Sequence, residues 1–245
     1  MNETVALWNW IGFGGMLIGA LLFFPHTRRP VSEYARQSYL GLFLVPLIAM
    51  LLYLMLALGQ GRTEVEGRTV SWIRYVTWIL TTPLLLNQLA RLVRAPGSFV
   101  AALLVSNTLM IGTGALADLS PTPQRYVWYG VSCAAFVAVF FLLYSDFTRR
   151  AGQHGGEVER TFRRLRDVNF ILWLGYPVVW ILGTSGVRVL DSGLQAALYT
   201  LLDLAAKVGF GLLVLSGRDL LERVGTVATQ NMESGRLASS GGGSA

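Results

Sequence analysis

Residues 201–210 read LLDLAAKVGF and set a lysine in the middle of a long apolar run. Lys207 is the single lysine of the 245-residue chain. A charged side chain at membrane depth costs at least a few kcal/mol, so it needs a buried partner or a chemical use. Asp203 lies four residues earlier, which on a helix puts both side chains on one face about 6 Å apart along the axis. Two uses fit that spacing. One is a structural ion pair between packed helices. The other is covalent: a structural cation can equally be arginine, whereas an amine that condenses with an aldehyde must be lysine. The absence of any other lysine favours a covalently attached carbonyl cofactor.

The stretch SWIRYVTWILTTPLLLNQLARL supplies a second set of polar residues. Arg74, Thr77, Thr81 and Gln88 recur at helical spacing, and polar groups at such depths face a bundle interior rather than lipid. Pro83 inside the same run kinks the helix and frees a carbonyl, which membrane helices tolerate when neighbours re-satisfy it. The charges then decide between options. A protonated lysine-derived imine contributes one positive charge, Arg74 another and Asp203 one negative. An unbalanced buried cation is expensive. Either the nitrogen gives up its proton, or a mobile anion sits beside the hydroxyls of Thr77 and Thr81.

The elements that position these groups follow from composition. The chain is 53% hydrophobic with a mean hydropathy of +0.51, well above an ordinary soluble domain. Runs of roughly 20 apolar residues occur at about 5–24, 38–59, 71–93, 98–118, 125–145, 168–184 and 193–215, which predicts an all-α bundle of seven transmembrane helices. We expect residues 1–228 to form one membrane domain. The Gly/Ser-rich residues 229–245 read as a flexible tail or an expression remnant. No cleavable signal is evident, because the first apolar run lacks a basic start and is itself long enough to span.

Arginines sort the links into two sets. One carries Arg28, Arg29, Arg36, Arg91, Arg94, Arg149, Arg150, Arg160, Arg163, Arg164, Arg166, Arg218 and Arg223; the other carries only Arg62, Arg68, Arg125 and Arg188. The positive-inside rule places the N-terminus outside and the C-terminus in the cytoplasm. The net charge of +6 thus reflects topology and not nucleic-acid binding. The lone Cys133 excludes an intrachain disulfide, and the distant His26 and His154 make no metal site. Asp118, at the outer end of the fourth span, reads as an interfacial cap. Residues 146–167 read as a polar loop with frayed helix ends.

Four blocks, RYVTWILTTPLLL, MIGTG at Met110–Gly114, LWLGYPVVWILG at Leu172–Gly183 and LDLAAKVGFG at Leu202–Gly211, resemble the seven-helix microbial rhodopsins in the same order. The resemblance implies that Lys207 holds all-trans retinal as a Schiff base, with Asp203 as the remaining carboxylate counterion. It implies a retinal pocket of Trp78, Thr82, Met110, Gly114, Tyr129, Ser132, Trp173, Tyr176 and Trp180, with Tyr129 where proton-pumping relatives usually have tryptophan. Tyr53 and Tyr176 match tyrosines that hydrogen-bond the seventh-helix aspartate.

Functional type in the family is read at the positions of Thr77, Thr81 and Gln88. Outward proton pumps carry an aspartate at the first and commonly a carboxylate at the third, and their extracellular glutamates are matched here by Ser185 and Gln195; outward proton pumping is therefore rejected. Threonine followed by tryptophan resembles the halorhodopsins, inward chloride pumps in which a halide replaces the lost carboxylate. The later Thr and Gln resemble another bacterial group of chloride pumps, and the triplet as a whole matches neither group in full. The resulting expectation is a light-driven inward chloride pump. Arg74, Thr77, Thr81 and Gln88 would form its anion path in a prokaryotic inner membrane, as a trimer or pentamer without enzymatic activity. A photosensory rhodopsin or a light-driven inward proton transporter is the alternative, supported by ADLS at Ala117–Ser120 and the Trp-Leu-Gly-Tyr-Pro run.

Overall fold

The computed structural model describes residues 2–220, 222 and 223. The helices are α1 (Glu3–Phe23), α2 (Glu33–Ala57), α3 (Ile73–Leu92), α4 (Gly97–Leu119), α5 (Gln124–Leu142), α6 (Thr148–Gln153), α7 (Gly156–Leu182), α8 (Ser192–Leu204) and α9 (Phe210–Ser216). A π-helical turn, Leu143–Phe147, joins α5 to α6, and another, Ala205–Gly209, joins α8 to α9. Each pair is thus one rod, and the described residues build seven rods in all. Both proposed limits of the membrane domain, residue 228 and the tail after it, lie outside the described residues.

Starts are chemically marked. Asn2, Ser32 and Asp191 cap α1, α2 and α8 by accepting from backbone N–H groups in the first turn, which satisfies donors the helix itself cannot. The rods pack beside their chain neighbours, and α8 closes onto α1. The outward faces carry large apolar side chains such as Leu21, Val105, Phe141 and Ile171, as a lipid-facing surface requires. Among the described helices, six are long and apolar enough to cross a membrane by length and composition. The exception is α3, whose Arg74, Thr77, Thr81, Thr82 and Gln88 are all buried. Its polar groups are hidden from lipid by the surrounding rods and furnish the interior of the bundle.

Two features differ from the sequence expectation. Residues 146–167 are helical and not a loop: α6 ends at Gln153 and α7 begins at Gly156, with Gly155 turning at φ +100°. Phe147, Ala151, Val158, Phe162 and Leu165 bury one face of these extensions. The polar face carries Arg149–Asp146 and Arg163–Glu159 pairs at helical spacing. Polarity here marks departure from lipid, not loss of helix.

The second difference is an unforeseen antiparallel hairpin between α2 and α3. Its strands β1 (Thr63–Val65) and β2 (Arg68–Val70) pair Thr63 with Val70 and Val65 with Arg68. Glu66 and Gly67 turn at φ +49° and +71°, the positive dihedrals that a two-residue hairpin turn needs.

Candidate functional site

Lys207 sits in the π-helical turn Ala205–Gly209. One extra residue per turn re-aims a side chain relative to an α-helix, and such turns concentrate at functional sites. Lys207 is 2% exposed and pairs with Asp203, which is 1% exposed. Asp203 Oδ1 also accepts from the Tyr176 hydroxyl at 2.9 Å and from Trp78 Nε1 at 3.2 Å, while Oδ2 accepts from the Tyr53 hydroxyl at 2.8 Å. Four donors therefore hold one buried carboxylate, which meets the demand that a buried charge be paired and hydrogen-bonded.

Tyr53 reaches this position because α1 is bare where the ring passes: a Cβ on Gly12 would lie 2.3 Å from Tyr53 Cε1. The Arg74 guanidinium donates to Tyr53 Oη at 3.5 Å and to Asn9 Oδ1 at 3.4 Å, and its carbon stands 5.3 Å above the Tyr199 ring. Tyr53 thus bridges Arg74 and Asp203. The hydroxyls of Thr77, Thr81 and Thr82 donate to carbonyls one turn back, at 3.0, 2.8 and 2.8 Å. Gln88 Nε2 donates to Ser38 O at 3.1 Å, and Gln88 Oε1 is buried without a hydrogen-bond partner.

Trp78, Thr82, Met110, Gly114, Tyr129, Ser132, Trp173, Tyr176 and Trp180 all line one apolar cavity, and Lys207 is in its wall. Tyr129 stacks on Trp180 with centroids 4.5 Å apart and donates to Pro177 O at 3.1 Å, so tyrosine closes that wall. Gly114 permits a close approach, since a Cβ there would lie 3.3 Å from Ser132 Oγ and 3.5 Å from Tyr75 Cε1. Tyr75, Leu85, Ile111, Cys133, Phe136, Pro177, Tyr199 and Ala206 complete the lining. Sequence reasoning missed them, although Tyr199 shares the four-residue spacing of Asp203 and Lys207. Residue types fit a long conjugated chain ending in a carbonyl: an aromatic and aliphatic slot with one amine in its wall.

Asp118 is not an interfacial cap. It is buried beneath the hairpin, where it accepts from Ser185 Oγ and pairs with Arg68 at 3.5 Å. Arg68 also donates to Ser120 O at 3.3 Å. The hairpin tip is tied to the α4–α5 link as well, because Glu66 accepts from the Thr122 N–H and hydroxyl.

Seven rods surround a buried lysine, its carboxylate and an apolar slot, the architecture of a membrane protein built around a buried amine. The family model for bacteriorhodopsin-like proteins matches residues 3–221. The chain is 40% identical over 227 residues to the bacteriorhodopsin of Haloterrigena sp. (strain arg-4), covering 90% of this chain and 91% of that one. Its fold is similar to the crystal structure of cyanorhodopsin from the cyanobacterium Tolypothrix sp. NIES-4075, with TM-score 0.87, 36% identity, and 92% and 99% of the two chains covered. It is likewise similar to thermophilic rhodopsin from Rubrobacter xylanophilus, with TM-score 0.85, 38% identity, and 91% and 99% covered. The chain belongs to the bacteriorhodopsin-like family of microbial rhodopsins. It is a multi-pass cell-membrane protein of a family that carries retinal and serves light-driven ion transport.

Proposed function

We propose that this rhodopsin is a light-driven inward chloride pump, with the hairpin end outside the cell and the arginine-rich end in the cytoplasm. The observation that carries the reading is the charge balance beside Lys207. Lys207 and Arg74 bring two positive charges to the buried cluster, and Asp203 is the single carboxylate that faces them among the described residues. Thr77 stands on α3 where an acidic residue would have balanced the cluster. A halide restores neutrality where a neutral threonine cannot.

The residues divide the work by chemistry. Arg74, on the outer side, supplies long-range attraction for an anion. The Thr77 and Thr81 hydroxyls are rotors, able to turn from the carbonyls one turn back toward a bound halide. Lys207 would hold retinal through its amine, and the bound chromophore would supply the light-driven reorientation of the N–H at that nitrogen. Asp203 is clamped by Tyr53, Tyr176 and Trp78, so its charge would stay fixed while a donor on the Lys207 nitrogen turned. Gln88 is neutral in the inner half, where a carboxylate would repel a departing anion or need a proton. Overall similarity to bacteriorhodopsins indicates the chromophore; the ion is set by these few α3 side chains.

The test is the external pH of an illuminated suspension of expressing cells supplied with retinal, in chloride and then in sulfate. Inward chloride transport makes the interior negative and draws protons in. The medium should become alkaline, faster with a protonophore, and stop doing so in sulfate. Alkalinisation abolished by the protonophore would instead indicate inward proton transport, and no light response would overturn the pump reading in favour of a sensor.

A further inference from the structure

We propose that the outer vestibule holds a second halide site between Arg62 and Arg74, ahead of the one beside Lys207. A cavity of about 410 Å³ opens beneath the hairpin, and both guanidiniums are in its wall. Arg74 has only neutral hydrogen-bond partners, Tyr53 and Asn9, at 3.5 and 3.4 Å. Arg62 donates to Leu56 O at 2.9 Å, and its Nε is buried without a hydrogen-bond partner. Among the described residues, neither arginine forms an ion pair with a carboxylate.

The two cations act on each other. Burial lowers the Arg62 pKa below its ordinary value, and the positive charge of Arg74 lowers it further. Two like charges facing one cavity repel unless something negative stands between them. Of the two carboxylates in that wall, Asp118 is paired with Arg68 and bonded by Ser185, while Glu64 accepts only from the neutral Thr69 hydroxyl at 2.6 Å, so beside the Arg68–Asp118 pair two guanidiniums face one carboxylate and the wall keeps a net positive charge. A small monovalent anion between the two guanidiniums relieves the repulsion. Its role as a waiting position for transport rests on the pump reading; its existence as a binding site does not.

Crystals of the retinal-loaded protein soaked in bromide provide the test, read by anomalous scattering in the wild type and in Arg62→Gln. The expected result is a bromide peak between the two guanidiniums that disappears in Arg62→Gln, with the visible band certifying that the variant is folded. Arg62→Lys, which keeps the charge, should retain a weaker peak and serves if the glutamine variant does not fold. A wild-type vestibule without bromide, or a peak unchanged in the glutamine variant, overturns the inference. A peak in the vestibule with none beside Lys207 keeps this site and sinks the pump reading; a peak beside Lys207 alone does the reverse.

Discussion

The Tyr53 hydroxyl lies 2.8 Å from Asp203 Oδ2 and 3.5 Å from an Arg74 guanidinium nitrogen. One phenol from α2 therefore ties the cation of α3 to the carboxylate of α8. It donates to one and accepts from the other, so the two opposite charges are held in place without touching. The site's geometry depends on that intermediary.

Tyr53→Phe removes one of the four donors to a buried carboxylate. Leaving such a group short of a partner costs about 1–3 kcal/mol, and a chain of this size loses roughly 2–4 °C for each kcal/mol. Thermal loss of the visible band should fall by several degrees, followed spectroscopically; an unchanged melting curve would show that water replaces the phenol at no cost.

Lys207→Arg distinguishes covalent chemistry from charge. Arginine keeps the positive partner for Asp203 but forms no imine with retinal under these conditions. The variant should express and fold yet show no visible band after retinal is added, and reduction with borohydride under light should label only the wild type. A coloured Lys207→Arg protein would reduce Lys207 to a structural ion.

Thr77→Asp adds a fixed negative charge to the cluster and brings its sum to zero. The wild-type absorption band should shift when chloride is replaced by sulfate, whereas the variant's band should stay put across the same exchange. Persistent chloride sensitivity in the variant would place the anion elsewhere.

Glu66 gives the hairpin an acid-sensitive anchor. The Thr122 N–H holds its carboxyl below the ordinary glutamate range, with further help from the Thr122 hydroxyl, Arg125 and Arg68. A depressed folded pKa contributes stability above the ordinary value of about 4.3, and that contribution is lost as pH falls through the folded value. Amide-exchange protection of Thr122 should drop on acidification in the wild type. In Glu66→Gln it should already be low at neutral pH and change little with acid.

The local part of this protein was legible from its residues. Apolar runs of membrane length gave the seven rods, because the bilayer demands satisfied backbone groups and a fixed length. The spacing of Asp203 and Lys207 gave their pairing, because four residues is one helical turn. The family resemblance named Lys207 and nine further slot-lining residues in advance and passed over the rest, Tyr199 among them. Even the helical continuation through residues 146–167 left its signal in the spacing of Phe147, Ala151, Val158, Phe162 and Leu165; reading polarity as loop concealed it.

Tertiary packing alone decided the rest. Tyr53 and Asp203 are 150 residues apart; the resemblance named their bond, but that the same phenol also accepts from Arg74 depends on how α1 approaches α2 over Gly12. Asp118, Arg68 and Ser185 come from three separate links and rod ends, so neither periodicity nor spacing could join them. The facing of Arg62 and Arg74 likewise arises from how the end of α2 folds back over α3. Periodicity is a local property of the chain; which faces then meet is settled by packing seven rods at once, and the buried charges are placed by that packing.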